Sequence, residues 1–483
     1  MAFWDNALEV MARKISDYMM DERGRRYSYL ESMYDGDHPA PLKVKKGQDD
    51  NIITNHIGVN VNRSVSRMLR GSVEFALPEG AEAQQEYLDE VWRVNKKDIL
   101  LLKWALHGAV FGTAYLKIVP DKLDNPLTGA LDLFPRLVPL YPDIVRMTTA
   151  SDDVDDVIQY RIEWTDPQDS REIVYREDTD KQDNDTWIVE NSEKHGSAQW
   201  QVVSSTVWPY PFAPIVHNQN LPSLNKVYGQ DEISDAVNTQ NKYNFTMSNT
   251  GKIIKHHAHP RTIFKGIGKS QIEMLDDSVD SAIILNNPDA DAANLELQSD
   301  LVSSREFSKD LKQNMATIMR EIDMSAIEQN IGNITNFGLR ILYTDAIDKN
   351  NTKRMLYGEA LEQVNRILLV LAGFEGEQSD PGEIKWGDAL VTNILEEIQA
   401  DQQALSMGIV DKQSVAERSI YKDRYGMDWD DMQERNAPKQ TGDPLNAPDA
   451  ENRASSENSL QGVVKRILDV QKKAVVDGQK VGV

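Results

Sequence analysis

The chain has no cysteine in 483 residues. That absence removes disulfide staples, thiolate zinc sites and cysteine nucleophiles together, and it fits an intracellular site of synthesis. Positive charge is also scarce, since 53 Lys and Arg against 77 Asp and Glu leave a net charge of −24 and a sequence pI near 4.8. So acidic a protein does not grip nucleic acid over its whole surface, and any contact with phosphate must be local. Long apolar runs are missing too. The most apolar stretch, 100–119, is broken by Lys103 and His107 and carries Gly108 and Gly112, which falls short of a membrane span. At the start, Asp5 and Glu9 stand where a signal peptide needs an apolar core, so neither a secretion signal nor a membrane partner is expected and the chain reads as soluble. What is present is 40% hydrophobic residues over a length that suits two to four domains with real cores.

Apolar spacing predicts helices over 5–33, around Asn55–Leu69 with Gly71 closing it, and as one piece over about Ala83–Ala109. The period then changes to that of strands at Thr113–Val119, Val157–Trp164, Arg171–Arg176, Thr186–Glu190 and Gln199–Ser204, read together as an antiparallel meander. Helical spacing returns over Gln230–Ala258, but this stretch is so polar (Asn238, Asn241, Asn244, Asn249) that it is not expected to be a core element of a monomer. Short strands are predicted near Arg261–Phe264, Ala282–Leu285 and Asn294–Leu297. An amphipathic helix follows over Leu301–Ile322, with Phe307, Leu311, Met315, Ile318 and Ile322 as its apolar stripe. A long helix is predicted over Phe337–Ala372, bent or exposed at Asp348–Arg354 where apolar spacing lapses, then a strand at Glu383–Trp386 and helix over Val391–Arg435 broken at Gly408 and Gly426. Residues 437–457 have linker composition, and a last amphipathic helix spans Leu460–Val476.

Residues 151–195 hold fifteen Asp or Glu and five Lys or Arg, a net −10 that reads as a solvated acidic face. Asp178, Asp180, Asp183 and Asp185 invite a calcium reading, but the Gly and Glu that a calcium loop needs at its sixth and twelfth positions are absent, and no metal site is assigned. His256, His257 and His259 lack the helical i, i+4 spacing of a metal pair. The opposite anomaly lies at Ala236–Ile272, where no acid occurs while Lys242, Lys252, Lys255, Arg261, Lys265 and Lys269 supply +6. Two readings compete for this basic island: a contact face for DNA or an acidic partner, or pairing with acidic segments of a neighbouring subunit. Gly268, Lys269 and Ser270 imitate the end of a phosphate-binding loop, but Ile263 stands where that motif needs glycine, and a hairpin turn is the simpler expectation. No triad, carboxylate pair or Gly-rich catalytic arrangement is detectable by spacing, so the residues alone support no enzyme and no cofactor, although such a site can be assembled from distant residues.

The order of segments resembles the portal proteins of tailed bacteriophages, of the siphovirus-like kind. The resemblance rests on Tyr29–His38, on Asn55–Val61 with Arg70 and Gly71, and on Gly108–Lys117 leading into a strand. It continues through Ala213–Asn220, Tyr228–Ser234, Gly332–Leu339 and Lys385–Asp388, although Thr335–Gly338 departs from the family's common Ser-Gly-Ala-Leu. It implies an α+β portal fold and a ring oligomer: an α/β wing at 1–227, stem helices at 228–258 and 299–324, and a small clip at 259–298. A tunnel loop at 325–336, a long kinked helix with a returning wing strand at 337–389, and a helical crown and tail at 390–483 would complete it. It further implies a homo-dodecamer at one vertex of the virion capsid, made in host cytoplasm. Its partners would be double-stranded DNA passing through the channel, a large terminase, major capsid and scaffolding proteins, and a head-completion or tail adaptor protein. On this reading Lys252, Lys255, Arg261, Lys265 and Lys269 face DNA or terminase, and Asn330, Asn333 and Asn336 belong to the tunnel loop. The alternatives are a nucleotide hydrolase using Lys269 and Ser270, or another ring-forming head-tail connector.

Overall fold

The computed structural model describes residues 22–43, 50–120, 123–124, 131–132, 134–165, 173–183, 186–196, 198–224, 226–258, 261–265, 291–295, 301–322, 338, 341–389 and 394–416. The chain is mixed helix and sheet, and its contacts divide it into two units. The first holds Met1–Glu31, Asn60–Ile233 and Arg320–Val483; the second holds Ser32–Val59 and Ser234–Met319. Helices α1 (Glu22–Asp35) and α2 (His56–Met68) each contain one of the boundaries. Among the described residues no helix is long and apolar enough to cross a membrane.

In the first unit, β1 (Val73–Ala76) pairs antiparallel with β14 (Glu383–Trp386), so strands three hundred residues apart close one sheet. Their approach needs two glycines: Gly71 sits at φ +75°, and a Cβ on Gly387 would run into the Gly71 carbonyl. The helix expected as one piece over 83–109 is two, α3 (Glu82–Val94) and α4 (Lys97–Phe111), parted by Lys96 in the left-handed region at φ +55°. Asn95 explains the break, because its amide donates to the carbonyls of Val91 and Pro135 and accepts from Leu137 N at 2.8 Å, competing with helical hydrogen bonds.

Strand β2 (Thr113–Val119) does not join the meander as the sequence suggested. It lies between β5 (Arg136–Leu140) and β11 (Ile215–Gln219) in its own antiparallel sheet, beyond the two-residue strands β3 (Leu123–Asp124) and β4 (Leu131–Asp132). Both partners are short and begin or end beside proline, which hid them from a periodicity reading. The meander itself is five strands in sequence order: β6 (Val145–Thr149), β7 (Val157–Thr165), β8 (Ile173–Lys181), β9 (Trp187–His195) and β10 (Gln201–Trp208). Tyr160, Ile162 and Trp187 bury one face with Tyr115 and Ile215. Its acids are not merely solvated, since Arg161 pairs with Asp178 at 2.6 Å, Arg176 with Glu163 at 2.6 Å, Lys181 with Asp156 at 3.0 Å and Lys117 with Glu177. Asp178, proposed above and set aside as a calcium ligand, is thus held by an arginine on the neighbouring strand.

Helix α7 (Thr344–Leu371) runs through the core of this unit, and Asn365 on it accepts a 2.8 Å hydrogen bond from the buried Trp92 indole. Gly373, at φ +87°, ends it. Residues 341–342 are helical and Tyr343 (φ −94°, ψ 5°) interrupts them, so the break falls there and not at 348–354. Three residues of that polar interval are buried, with Lys349, Asn350 and Lys353 each at most 2% exposed, while Asp348 and Asn351 are exposed. Helices α8 (Ile394–Ser406) and α9 (Lys412–Ala416) follow, with Gly408 at φ +66° between them; the expected features at 417–483 lie outside the described residues.

The second unit joins α5 (Val237–Ala258), α6 (Leu301–Ile318) and the antiparallel pair β12 (Arg261–Lys265) and β13 (Asp291–Leu295). The strand expected at 282–285 lies outside the described residues. The polar helix α5 proves to be a core element after all. Gln240, Asn244 and Ser248, one turn apart and at most 1% exposed, hydrogen-bond the extended segment Ile52–His56. Gln240 accepts from His56 N (3.0 Å) and donates to Thr54 O (2.7 Å), Asn244 accepts from Thr54 N (3.1 Å), and the Ser248 hydroxyl accepts from Ile52 N (2.9 Å). Asn244 also donates to His38 Nδ1 at 2.8 Å. The helix is polar because its burial partner is a backbone with no strand beside it, and buried N–H and C=O groups require partners. In α6, Leu311 and Met315 of the expected stripe are buried, with Ser308 and Ala316, whereas Phe307 is 45% and Ile318 43% exposed.

Candidate functional site

Five positions of the basic island carry described backbone, and three carry described side chains. Lys242, Lys252 and Lys255 project from α5. Lys242 and Lys252 are exposed on a stripe with Asn238, Phe245 and Asn249, residues three or four apart with no acid among them. Lys242 Nζ sits 5.1 Å from the centre of the Phe245 ring. Lys255 lies off this stripe and pairs with Asp50 at 2.6 Å, so part of its charge is spent inside the chain. Arg261 and Lys265 occupy the two ends of β12, in register with Leu295 and Asp291. Lys269, with Ser270, lies outside the described residues, as do His259, Asn330, Asn333 and Asn336.

Sequence reasoning missed a second constellation, in the first unit. Glu232, 1% exposed at its side chain, receives Lys353 Nζ at 2.6 Å and Lys349 Nζ at 3.0 Å. Lys349 also reaches Glu321 at 2.8 Å, and Glu321 accepts two hydrogen bonds from the Arg67 guanidinium at 3.0 and 2.6 Å. Three cations and two carboxylates thus form one buried chain, with the Ser64 hydroxyl 3.5 Å from Lys353. Burial opposes ionisation of Glu232, but Lys353 and Lys349 overcome it and hold its pKa well below the usual 4.5. Burial pulls the Lys353 ammonium down, with Glu232 opposing. The Lys349–Glu321 contact also clamps the two ends of the intervening stretch, Glu321 just after Arg320 (φ +51°) and Lys349 on α7.

A cleft of about 580 Å³ opens beside the meander, lined among others by Asp155, Trp187, Phe212, His217 and Glu359. Burial pushes the His217 imidazole down to about 4, against the opposing pull of Asp155, and Tyr160 Oη lies 3.4 Å from its Nδ1. Between pH 6.5 and 4 the unfolded chain therefore binds more protons at this site than the folded one, and stability falls as pH falls. Unfolding by urea should lose about 2 kcal/mol across that window, and His217→Gln should flatten the slope there; an unchanged slope in the variant would assign the acid sensitivity elsewhere.

A family model described as "Phage portal protein, SPP1 Gp6-like" matches residues 13–438. No curated protein matches the chain. Among solved structures, a chain of the "Virion of native gene transfer agent (GTA) particle" is similar at 12% identity with a TM-score of 0.44, over 81% of this chain and 92% of that one.

Proposed function

Because the chain belongs to the SPP1 Gp6-like phage portal proteins, we propose that it assembles as a dodecameric ring at a single capsid vertex. The ring is the channel through which a terminase drives DNA inward and through which DNA leaves, and the platform for head assembly and adaptor or tail attachment. The match over 13–438 carries this reading. We divide the chain accordingly into wing (1–227), first stem helix (228–258), clip (259–298), second stem helix (299–324), tunnel loop (325–336), long helix with returning strand (337–389), and crown with tail (390–483).

Charge supports the same role. A mostly acidic channel repels phosphate, so DNA slides without adhering, and a few basic rings keep it centred. The acid-free stripe of Lys242 and Lys252 suits such a ring, and we assign Lys252, Lys255, Arg261, Lys265 and Lys269 to the end that meets DNA or terminase. Asn330, Asn333 and Asn336 are assigned to the loop nearest DNA, where uncharged amides make brief phosphate contacts. We assign no hydrolytic step to Lys269 and Ser270. Light scattering with negative-stain imaging tests the assembly: a ring with a central channel and a mass of about 655 kDa for twelve 54.6-kDa chains is expected. A monomer that hydrolyses ATP and stays monomeric with scaffolding protein present would overturn the reading.

A further inference from the structure

The two edges of the five-stranded meander are treated differently. At β6 two backbone groups are engaged by side chains from outside the sheet: the Val145 carbonyl accepts from Arg23, and Met147 N donates to the Tyr228 hydroxyl at 3.1 Å. At β10 nothing among the described residues covers the edge. The strand is exposed along seven of its eight residues, with Val202 59%, Val203 62% and Val207 41% exposed. From Gln199 to Trp208 it holds no charge and no proline, which are the usual devices that discourage a strand from pairing with another chain. A register shift lies between Val202 and Ser204, and regular pairing with β9 runs from Ser204 to Trp208.

The cross-strand rows show what this edge lacks. On the half-exposed face of the sheet, charges alternate from strand to strand where they are paired: Arg161 faces Asp178, and Glu163 faces Arg176. The row that starts at Arg146 on β6 runs through Arg161 and Asp178 to Glu190 and then to Ser205 at the open edge, and its first arginine lies beside Asp143. Asp178 and Glu190 are therefore like charges directly opposite one another, a destabilising arrangement. Arg161 is engaged by Asp178, and Glu190 has no ion-pair partner among the described residues. The row's two arginines both lie on the β6 side of it, beside Asp143 and Asp178, so its unpaired carboxylate is the one nearest the open edge, where a further strand would lie.

We propose that the edge of β10 is a docking surface for an extended segment of another protein, which adds a strand to the meander and places a Lys or Arg opposite Ser205. The side chain of Ser205 is short, so a lysine on the added strand, two strand spacings or about 9.6 Å from Glu190, reaches over it to the carboxylate. Main-chain hydrogen bonds to the free edge supply affinity, and the acidic segment 151–195, at net −10, selects a basic strand over an acidic one.

The full-length protein should be titrated with two fluorescent, end-blocked nonapeptides of alternating Thr and Val, one with a central Lys and one with a central Glu, read by anisotropy at low salt. The Lys peptide is expected to bind about fivefold more tightly than the Glu peptide. Glu190→Gln, a near-isosteric change on a half-exposed position, should abolish that preference. Ser205→Lys, which places a cation directly opposite Glu190 within the chain, should also abolish it and raise the Tm. Failure of both peptides to bind, equal binding of the two, or a preference that survives Glu190→Gln overturns the proposal. So does concentration-dependent self-association lost in Ser205→Lys without peptide binding, since a second copy would then fill the edge.

Discussion

Glu232→Gln is expected to cost about 3–5 kcal/mol of unfolding free energy, more than Lys353→Met at the other end of the same contact. The reason is charge balance. The buried chain Arg67–Glu321–Lys349–Glu232–Lys353 holds three cations and two carboxylates. Removing Glu232 leaves three cations to share Glu321, and Lys353 keeps only the Ser64 hydroxyl at 3.5 Å. Removing Lys353 leaves two cations and two carboxylates, each still paired, and a methionine fills the volume of the lysine stem, so about 1–2 kcal/mol is expected. The pH dependence separates the two further. In the native protein the Glu232 carboxyl is held below 4.5, so its contribution is complete above that pH and is lost as pH falls below it. In Glu232→Gln that acid limb disappears. Lys353, already pulled down by burial, then keeps only the weaker pull of Glu321 on its proton, and the folded state releases it at a lower pH than the unfolded chain does. The variant should therefore gain stability as pH rises toward 10.5, the ordinary lysine value. Urea unfolding at a series of pH values measures both effects, and equal losses for the two variants would show that packing, not charge balance, governs the cluster.

That cluster also marks the limit of what the sequence discloses. Strands with strict alternation, such as Val157–Thr165, and helices closed by glycine, such as the one ending before Gly373, were legible because their signals are local. The run Asp348–Arg354 was not. Read locally, its lysines and asparagines describe a solvated turn of helix, and only Glu321 and Glu232, 28 and 117 to 121 residues away, hold Lys349 and Lys353 in the core. The polar helix α5 failed for a related reason. Gln240, Asn244 and Ser248 stand at i, i+4 and i+8, a spacing as regular as any apolar stripe, but hydropathy scores the stripe as solvent-facing when its true partner is a bare backbone segment. A search for amide and hydroxyl side chains at helical spacing would have found it. The basic island, in contrast, was legible as composition alone, and the structure adds which of its described lysines is free: Lys255 is held by Asp50, whereas Lys252 has no ion pair among the described residues.

Lys252→Glu is accordingly expected to reduce DNA-filled particles by at least about tenfold while rings of normal mass still form. In the proposed ring every copy would repeat the change, so a belt of positive charge would become a negative one at a single level and a polyanion would meet a barrier in place of a guide. Lys252→Met, which removes the charge without reversing it, should give an intermediate yield, because the remaining acidic surface repels DNA less than an added belt of carboxylates does. Lys255→Glu should behave differently. It places a second carboxylate beside Asp50, so its first effect is local loosening of the contact between α5 and residue 50, read as faster amide exchange at 50–56. Counting filled heads by electron microscopy, with ring mass measured in parallel, distinguishes the two readings of the island. Few filled heads with intact rings means that Lys252 serves DNA or the motor that delivers it. Weakened rings mean that it serves an acidic neighbour, and normal filling with normal rings removes it from both roles.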